Sequence, residues 1–380
     1  MHGGVPVRSA LFQVHWFLGL TAGLVLMLVG VTGGILSVED EVMSLMSPGI
    51  VTVPVREGPR LTPDALIARL TDEAPGRRIT LMVLNGALDR AARVRLADGP
   101  GRGTETYVDP YDGRILGPAV GEAFFDTVLR LHRWLLIPGN GDGWGRTLTG
   151  ASALALVYLA LSGLYLRWPK GRRDWRIWLK PALNRRGRAL YWSLHAVVGT
   201  WMLVLYLLMA LTGLWWSYGW YRDGVTVLLT GRPAAAAPAR GMGKREGAPV
   251  PLDPAFAAFT AATNGRYATA SLAPARAGET IRIRAVAPDA AHVQARDEWR
   301  FRPDGTLDSR DLYTERPIGA RLAGSMLALH EGRFFGPVGW IAFMLAALAM
   351  PLFGVTGLLL YLGRRRNRRR AQIAQAAAVP

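Results

Sequence analysis

The sequence contains no cysteine. Disulfides, iron–sulfur clusters, thiolate ligation of haem and the C-x-x-C-H attachment of c-type haem are thereby excluded, so any redox group must be held non-covalently. Nucleotide fingerprints are missing too. No G-x-G-x-x-G follows a strand, and Gly241-Met242-Gly243-Lys244 lacks the spacing and the Ser/Thr of a phosphate-binding loop. Acidic residues are scarce, 28 against 45 Lys and Arg, for a formal charge of +17. Ser37-Val38-Glu39 offers no small-x-small cleavage site, so the apolar tract before it is expected to remain as an anchor rather than leave as a signal peptide.

What is abundant is apolar sequence, 50% of the chain. It is concentrated in four tracts without charge: Ser9 to Val38, Thr147 to Leu166, Ala189 to Tyr221 and Phe334 to Gly363. Each reaches the roughly 20 residues a helix needs to cross hydrocarbon. Four transmembrane helices are predicted, at 10–38, 146–168, 189–217 and 334–363, with two long external segments at 39–145 and 218–333.

The basic residues set an expected orientation, because Lys and Arg beside spans are retained on the cytoplasmic side. The loop 169–188 carries Lys170, Arg172, Arg173, Arg176, Lys180, Arg185, Arg186 and Arg188 against Asp174, and the tail 364–380 carries Arg364, Arg365, Arg366, Arg368, Arg369 and Arg370. Both termini and the loop 169–188 are therefore expected on the cytoplasmic side, with the long segments outside. Topology and anionic lipid account for this charge, and no nucleic-acid partner is expected. Trp16, Trp144, Trp168, Trp192, Trp215, Trp216, Trp220 and Trp340 lie near span ends, where the headgroup layer favours an amphipathic ring.

The chain repeats itself. Arg8 precedes His15, and Arg188 precedes His195, by the same seven residues; Gly19 and Gly199, Thr32-Gly33 and Thr212-Gly213, and Ser37 and Ser217 follow at matching offsets. Spans two and four also correspond, Gly145 preceding Ser162-Gly163-Leu164 as Gly339 precedes Thr356-Gly357-Leu358. Two parallel repeats related by a pseudo-two-fold axis along the membrane normal are predicted. Gly19, Gly23, Gly30, Gly33, Gly34 and Gly163 read as close-packing positions between spans, although glycine beside a porphyrin face would look the same.

Six histidines are present. His2 and His292 read as surface residues, whereas His15 and His195 begin spans one and three, and His132 and His330 stand just before spans two and four. Each face of the membrane thus holds two. Haem iron takes axial imidazoles from opposite sides, and a two-fold axis opposes equivalent residues, so His15 with His195 and His132 with His330 are predicted to bind an inner and an outer haem b. The outer pair is the less symmetric, since His132 is 13 residues from Gly145 and His330 nine from Gly339. Zinc or copper sites want more than two converging ligands. Arg8 and Arg188 suit haem propionates, and equally serve as positive-inside flanks.

Each external segment opens with a helix and continues in strands. Thr62-Pro63 starts the first helix, followed by strand-like 79–84, 92–96 and 104–108 and the turn Asp109 to Arg114. The second holds a helix at 253–262, strands at 281–286 and 298–301 and the turn Arg302 to Thr306, after an Ala/Pro/Gly linker at 231–247. Two small α+β domains are expected. The run Tyr107-Val108-Asp109-Pro110-Tyr111-Asp112-Gly113-Arg114-Ile115-Leu116-Gly117 resembles a PepSY domain, and with the four spans the whole chain resembles the PepSY-associated transmembrane family. Within it, the resemblance to inner-membrane ferric-siderophore reductases of the ferrioxamine type implies two haems and a haem-dependent reductase. Electrons from a cytoplasmic or membrane donor would reach a ferric siderophore outside, docked near Arg133, Trp134, Arg333, Phe334 and Phe335. Two alternatives stay open: a haem conduit to another acceptor such as a quinone, and a non-catalytic membrane protein that binds an external partner.

Overall fold

The computed structural model of the chain describes residues 7–99, 103–168, 178–233 and 247–377. His2, Lys170, Arg172, Arg173, Asp174, Arg176, Gly241 to Lys244 and most of the Ala/Pro/Gly linker lie outside the described residues. The rest divides into two units. One holds Met1–Ser37, Asp126–Arg222 and Leu329–Pro380, the other Val38–Phe125 and Asp223–Ala328.

The first unit contains four helices long and apolar enough to cross a membrane, Val7–Leu36, Trp144–Arg167, Arg188–Ser217 and Arg333–Ala376, so the chain is a multi-pass membrane protein. The fourth is interrupted at Ala349, between Gly336–Leu348 and Met350–Ala377, because Pro351 has no N–H to continue the ladder. The basic tail continues this last helix.

Glycine sets how closely the first and fourth spans approach. A Cβ on Gly30 would lie 2.6 Å from Met350 Cβ, and one on Gly34 2.5 Å from Leu348 Cδ2. Gly19 and Gly23 face open space, so the close-packing reading does not extend to them. Leu26, Tyr206, Ala346 and Met350 form a buried cluster, and the Tyr206 hydroxyl donates to the Ala346 carbonyl at 2.8 Å, meeting the need of a phenol in an apolar interior.

Among the described residues the strands are, in chain order, β1 Arg78–Asn85, β2 Ala92–Ala97, β3 Thr104–Val108, β4 Ile115–Gly117, β5 Pro249–Val250, β6 Thr269–Leu272, β7 Ala275–Arg276, β8 Ile281–Val286, β9 Arg296–Phe301 and β10 Leu307–Asp311. Eight of them make one antiparallel sheet in the order β10-β9-β8-β6-β1-β2-β3-β4, with β5 and β7 paired apart. The two long segments between the spans meet at β1 and β6, where Met82 opposes Leu272 and Leu84 opposes Ala270. The expectation of two separate α+β domains is therefore revised to one fused domain. The physical reason is that each four-stranded half would otherwise expose a hydrophobic edge, which pairing with the other half removes. One core serves both, with Leu66, Leu70 and Met82 from the first segment packed with Phe259, Leu272 and Ile281 from the second.

The two helices over this core, Pro63–Glu73 and Asp253–Ala262, cap one another. Thr62 accepts from the Ala65 N–H at 3.3 Å, as the Thr-Pro start predicted. The Asp64 carboxylate accepts from the N–H groups of Leu252 and Asp253 at 2.9 Å, while the Asp253 carboxylate accepts from the Asp64 N–H at 2.9 Å and the Thr62 hydroxyl at 2.7 Å. First-turn donors that no helix can satisfy internally are thus met from the opposite segment.

His292 is not a surface residue. It is 7% exposed, with Nε2 3.3 Å from the Tyr313 hydroxyl, which in turn lies 3.0 Å from Ser325.

Asp64→Ala is expected to destabilise the sheet unit by about 1–2 kcal/mol. Asp253→Ala should do the same, and the double variant should lose less than the sum because each cap depends on the other, as read by chemical denaturation of the full chain in detergent. Acid should weaken this unit in a defined window. Burial pushes the Glu298 carboxyl up, but hydrogen bonds from Arg300 and Arg284 outweigh it and leave its pKa below the ordinary value. The hydrogen bond from Arg56 likewise lowers that of Asp112. Both stabilise above the unfolded carboxylate pKa of about 4, and that contribution is lost as pH falls through the lower folded values. Tryptophan-monitored melting should therefore decline below that pH, and less steeply in Arg300→Gln.

Candidate functional site

The four span-end histidines are drawn together in the pairs that the repeat predicts. His15 and His195 have ring centroids 6.5 Å apart at 69°, and His132 and His330 have centroids 6.4 Å apart at 67°. The outer pair, whose unequal spacing argued against matching geometry, matches the inner one closely.

Local structure absorbs the inequality. His132 ends the helix Glu122–Trp134, after which Leu135 and Leu136 (both φ 56°) and Gly139 (φ 93°) turn the chain through a short 3-10 stretch into the second span. His330 ends the shorter helix Met326–Glu331 and reaches the fourth span through Gly332 (φ 75°) and one 3-10 turn, Arg333–Phe335. Two successive leucines in left-handed conformation are strained, and the longer loop holds that strain beside the site.

Every ring is oriented by a hydroxyl on another span. Nδ1 of His15 lies 2.8 Å from Ser162 Oγ, that of His195 2.9 Å from Thr356 Oγ1, that of His330 2.9 Å from Thr212 Oγ1, and that of His132 3.1 Å from Thr32 Oγ1. A hydroxyl has one proton to give. Thr32 gives it to Leu28 O at 2.8 Å, Thr212 to Leu208 O at 2.6 Å, Thr356 to Leu352 O at 2.5 Å and Ser162, more weakly, to Leu159 O at 3.4 Å. Each oxygen is left to accept from an Nδ1–H. For His132 the Val29 carbonyl, 3.0 Å from Nδ1, requires the same tautomer. The lone pair then resides on Nε2, the arrangement that a ligating imidazole needs.

The residue after each hydroxyl is glycine. A Cβ on Gly33 would lie 3.1 Å from Cε1 of His132, on Gly213 3.3 Å from that of His330, on Gly163 3.4 Å from that of His15, and on Gly357 3.7 Å from that of His195. The Ser/Thr-Gly dipeptide is thus a seat for an imidazole. The sequence displayed all four dipeptides through the repeat, yet Gly33 and Gly163 read there as packing between spans; nothing in one dimension says that a histidine from the other span of the same half lands on them.

A metal ion bonded at about 2.0–2.1 Å to an imidazole on each side places the ring centroids roughly 6.4 Å apart. Both pairs have that separation. Among the described residues no three of His, Asp and Glu converge, so neither histidine pair has a third ligand of these types beside it. Two imidazoles on opposite sides are what haem iron takes, whereas a four-coordinate zinc or copper site usually draws three or four protein ligands. Phe353 lies edge-on to His195 at 5.4 Å and Trp216 to His330 at 5.6 Å, adding apolar walls.

The other predicted residues fall as follows. Arg8 donates to the Leu166 carbonyl at 2.6 Å, at the end of the second span. Arg188 lines a cavity of about 750 Å³ with Lys180, Arg185, Trp192 and Ser193. Arg167, which sequence reasoning passed over, donates to Ala196 O and Thr200 Oγ1 one turn from His195 and lies 4.8 Å over Trp178. Of the docking candidates, Arg333 holds the Ser37 carbonyl at 2.9 Å and covers Trp340, and Phe335 packs on Phe343, so both serve the packing of the spans. Exposed Trp144, Trp192 and Trp220 suit a headgroup belt; Trp216 and Trp340 point inward.

No curated protein matches the chain. The model of the PepSY-associated TM region matches residues 12–364, and the chain belongs to that family.

Proposed function

We propose that the protein is a di-haem b-type reductase of the bacterial inner membrane, which passes electrons outward to a ferric siderophore and so releases its iron. The observation that carries this reading is the pair of matched bis-histidine sites, each with both Nδ1 atoms bonded to hydroxyls and both Nε2 lone pairs available. The equal geometry of the two sites supports two repeats related by a pseudo-two-fold axis.

Haem bound at such a site supplies reversible one-electron chemistry. His15 with His195, and His132 with His330, would hold it through Nε2; Ser162, Thr356, Thr32 and Thr212 fix the tautomer and ring plane of these histidines and would raise their basicity as ligands. His195 and Thr212, the partner of His330, are seventeen residues apart on one helix, about 25 Å. Two sites therefore divide a crossing of about 30 Å that one would not span. Leu26, Tyr206, Ala346 and Met350 form a buried cluster among the spans.

Direction follows from supply. The basic flanks Lys180, Arg185, Arg186 and Arg188 and the tail Arg364 to Arg370 favour a cytoplasmic position for the His15–His195 end, where reductant is abundant, and a periplasmic position for the sheet unit. The substrate Fe(III), held by hard oxygen donors, gains one electron and becomes Fe(II), which those donors hold less well. Reduction is release.

Dithionite-reduced spectra of the purified protein should show Soret and α bands equivalent to two haems per chain. His195→Ala should remove about half the haem, and replacement of all four histidines should remove it all; bands that survive the fourfold replacement would sink the proposal. Thr356→Val and Thr212→Val should each weaken haem retention about 10–100-fold, measured by transfer to apomyoglobin. Stopped-flow reoxidation by a panel of ferric siderophores tests the substrate. Reoxidation by quinone alone would instead favour a conduit to another acceptor, and colourless protein that captures an external protein a binding role.

A further inference from the structure

The face of the eight-stranded sheet turned away from the Pro63–Glu73 and Asp253–Ala262 helices is lined with arginine. Alternation puts Met82, Leu84, Val94, Leu272, Ile281 and Ile283 in the core. Their neighbours Arg93 and Arg95 on β2 and Arg282 and Arg284 on β8 then project to the opposite side, as do Arg296 and Arg300 on β9, which alternate with the core residues Trp299 and Phe301. A sheet face left open to solvent ordinarily mixes signs; this one has a basic centre.

The register describes its shape. Arg93 opposes Val83, Val83 opposes Ser271, and Ser271 opposes Arg284, in one row across four strands. Arg93 and Arg284 are thus three strand spacings apart, about 14 Å. The floor between them is low: Leu81 and Val83 from β1, Thr269 and Ser271 from β6, all half-buried. Arg296 stands in the next row, opposite Val286, which opposes Thr269.

The acids of this face are already engaged. Glu298 pairs with Arg284 at 3.1 Å and Arg300 at 2.7 Å, and Glu105 pairs with Arg95. Asp40 and Glu122 lie within electrostatic reach of Tyr107, at the β3 end. Among the described residues neither Arg93 nor Arg296 has a carboxylate partner. Arg296 is exposed and its Nε donates to the Val293 carbonyl at 3.1 Å, which fixes the guanidinium at the edge of this face; burial and the like charges of Arg284 and Arg93 push it below its ordinary value. Gathering like charges costs free energy that an anion removes.

We propose that this trough is the docking site for the ferric substrate and selects a complex with net negative charge, Arg93 and Arg296 contacting it from opposite sides. This rests on the reductase reading and sharpens it. Three hydroxamates neutralise Fe(III), whereas catecholate or α-hydroxycarboxylate donors leave an anionic complex. The strands that carry Arg93 and Arg296 are four spacings apart, about 19 Å, so a chelate seated between these two long side chains meets both, and Leu81 and Val83 give its apolar body a surface.

The test uses the full-length protein in detergent and gallium(III) complexes, which copy the ferric shape and charge but accept no electron. Calorimetry should show a gallium tris-catecholate binding at least about tenfold tighter than a neutral gallium trihydroxamate, with an affinity that falls as salt rises. Arg93→Gln with Arg296→Gln should lower that affinity about tenfold or more while the haem spectrum stays unchanged, and Arg93→Lys should retain most of it. Equal binding of the two complexes, or an unaltered affinity in the double glutamine variant with an unaltered melting curve, would overturn the proposal. Colourless protein that still binds the anionic complex through Arg93 and Arg296 would support the trough and overturn the reductase reading instead.

Discussion

A histidine among apolar helices has no water to satisfy its N–H, and the packing of the spans follows from how the chain supplies that partner. Ser162 on the second span takes His15 of the first, while Thr32 on the first takes His132, which leads into the second. Thr356 and Thr212 do the same for His195 and His330 between the third and fourth spans. Each half is therefore tied to itself at both ends by hydroxyl contacts, and the histidines then meet across the halves. One bond sets the partner span, the tautomer and the ring plane together. The hydroxyl can do this only because its own proton is spent on its own helix, and the ring can reach it only because the next residue has no side chain.

The sheet unit solves a comparable problem with other groups. Each long segment yields a half-sheet with a bare edge and a helix with unmet first-turn donors. Pairing β1 with β6 closes the edges, and Asp64 and Asp253 exchange caps between segments nearly 190 residues apart, a separation of 189 for the Asp64 N–H bond to Asp253. The halves are mutually dependent here, as they are at the histidine pairs. The join also creates something neither half has alone, a floor between two arginine-bearing strands.

Much of this was legible in one dimension. Charge-free length marked four spans, since a charge in hydrocarbon is costly enough to be avoided, although the fourth helix runs on through the basic tail to Ala376. Thr62-Pro63 marked a helix start, and the helix over Asp253–Ala262 was read with its observed bounds. The histidine pairs were visible because the repeat aligned them. Less visible were β6, four residues of unremarkable alternation between Thr269 and Leu272, and the short helices that deliver His132 and His330. His292 looked polar and peripheral, since a buried Tyr313–Ser325 partnership cannot be read from flanking residues.

The sequence by itself determined the number of spans, the four histidines at their ends and the two-part repeat, because hydrophobic length and residue offsets are properties of the chain. Only the tertiary structure decided that the Ser/Thr-Gly dipeptides seat imidazoles, that the outer pair equals the inner despite its longer loop, and that two expected domains are one sheet. Those outcomes depend on contacts between residues roughly 100 to 190 positions apart. Such contacts form when apolar faces and unmet hydrogen bonds find each other in space, and no local pattern encodes the partner.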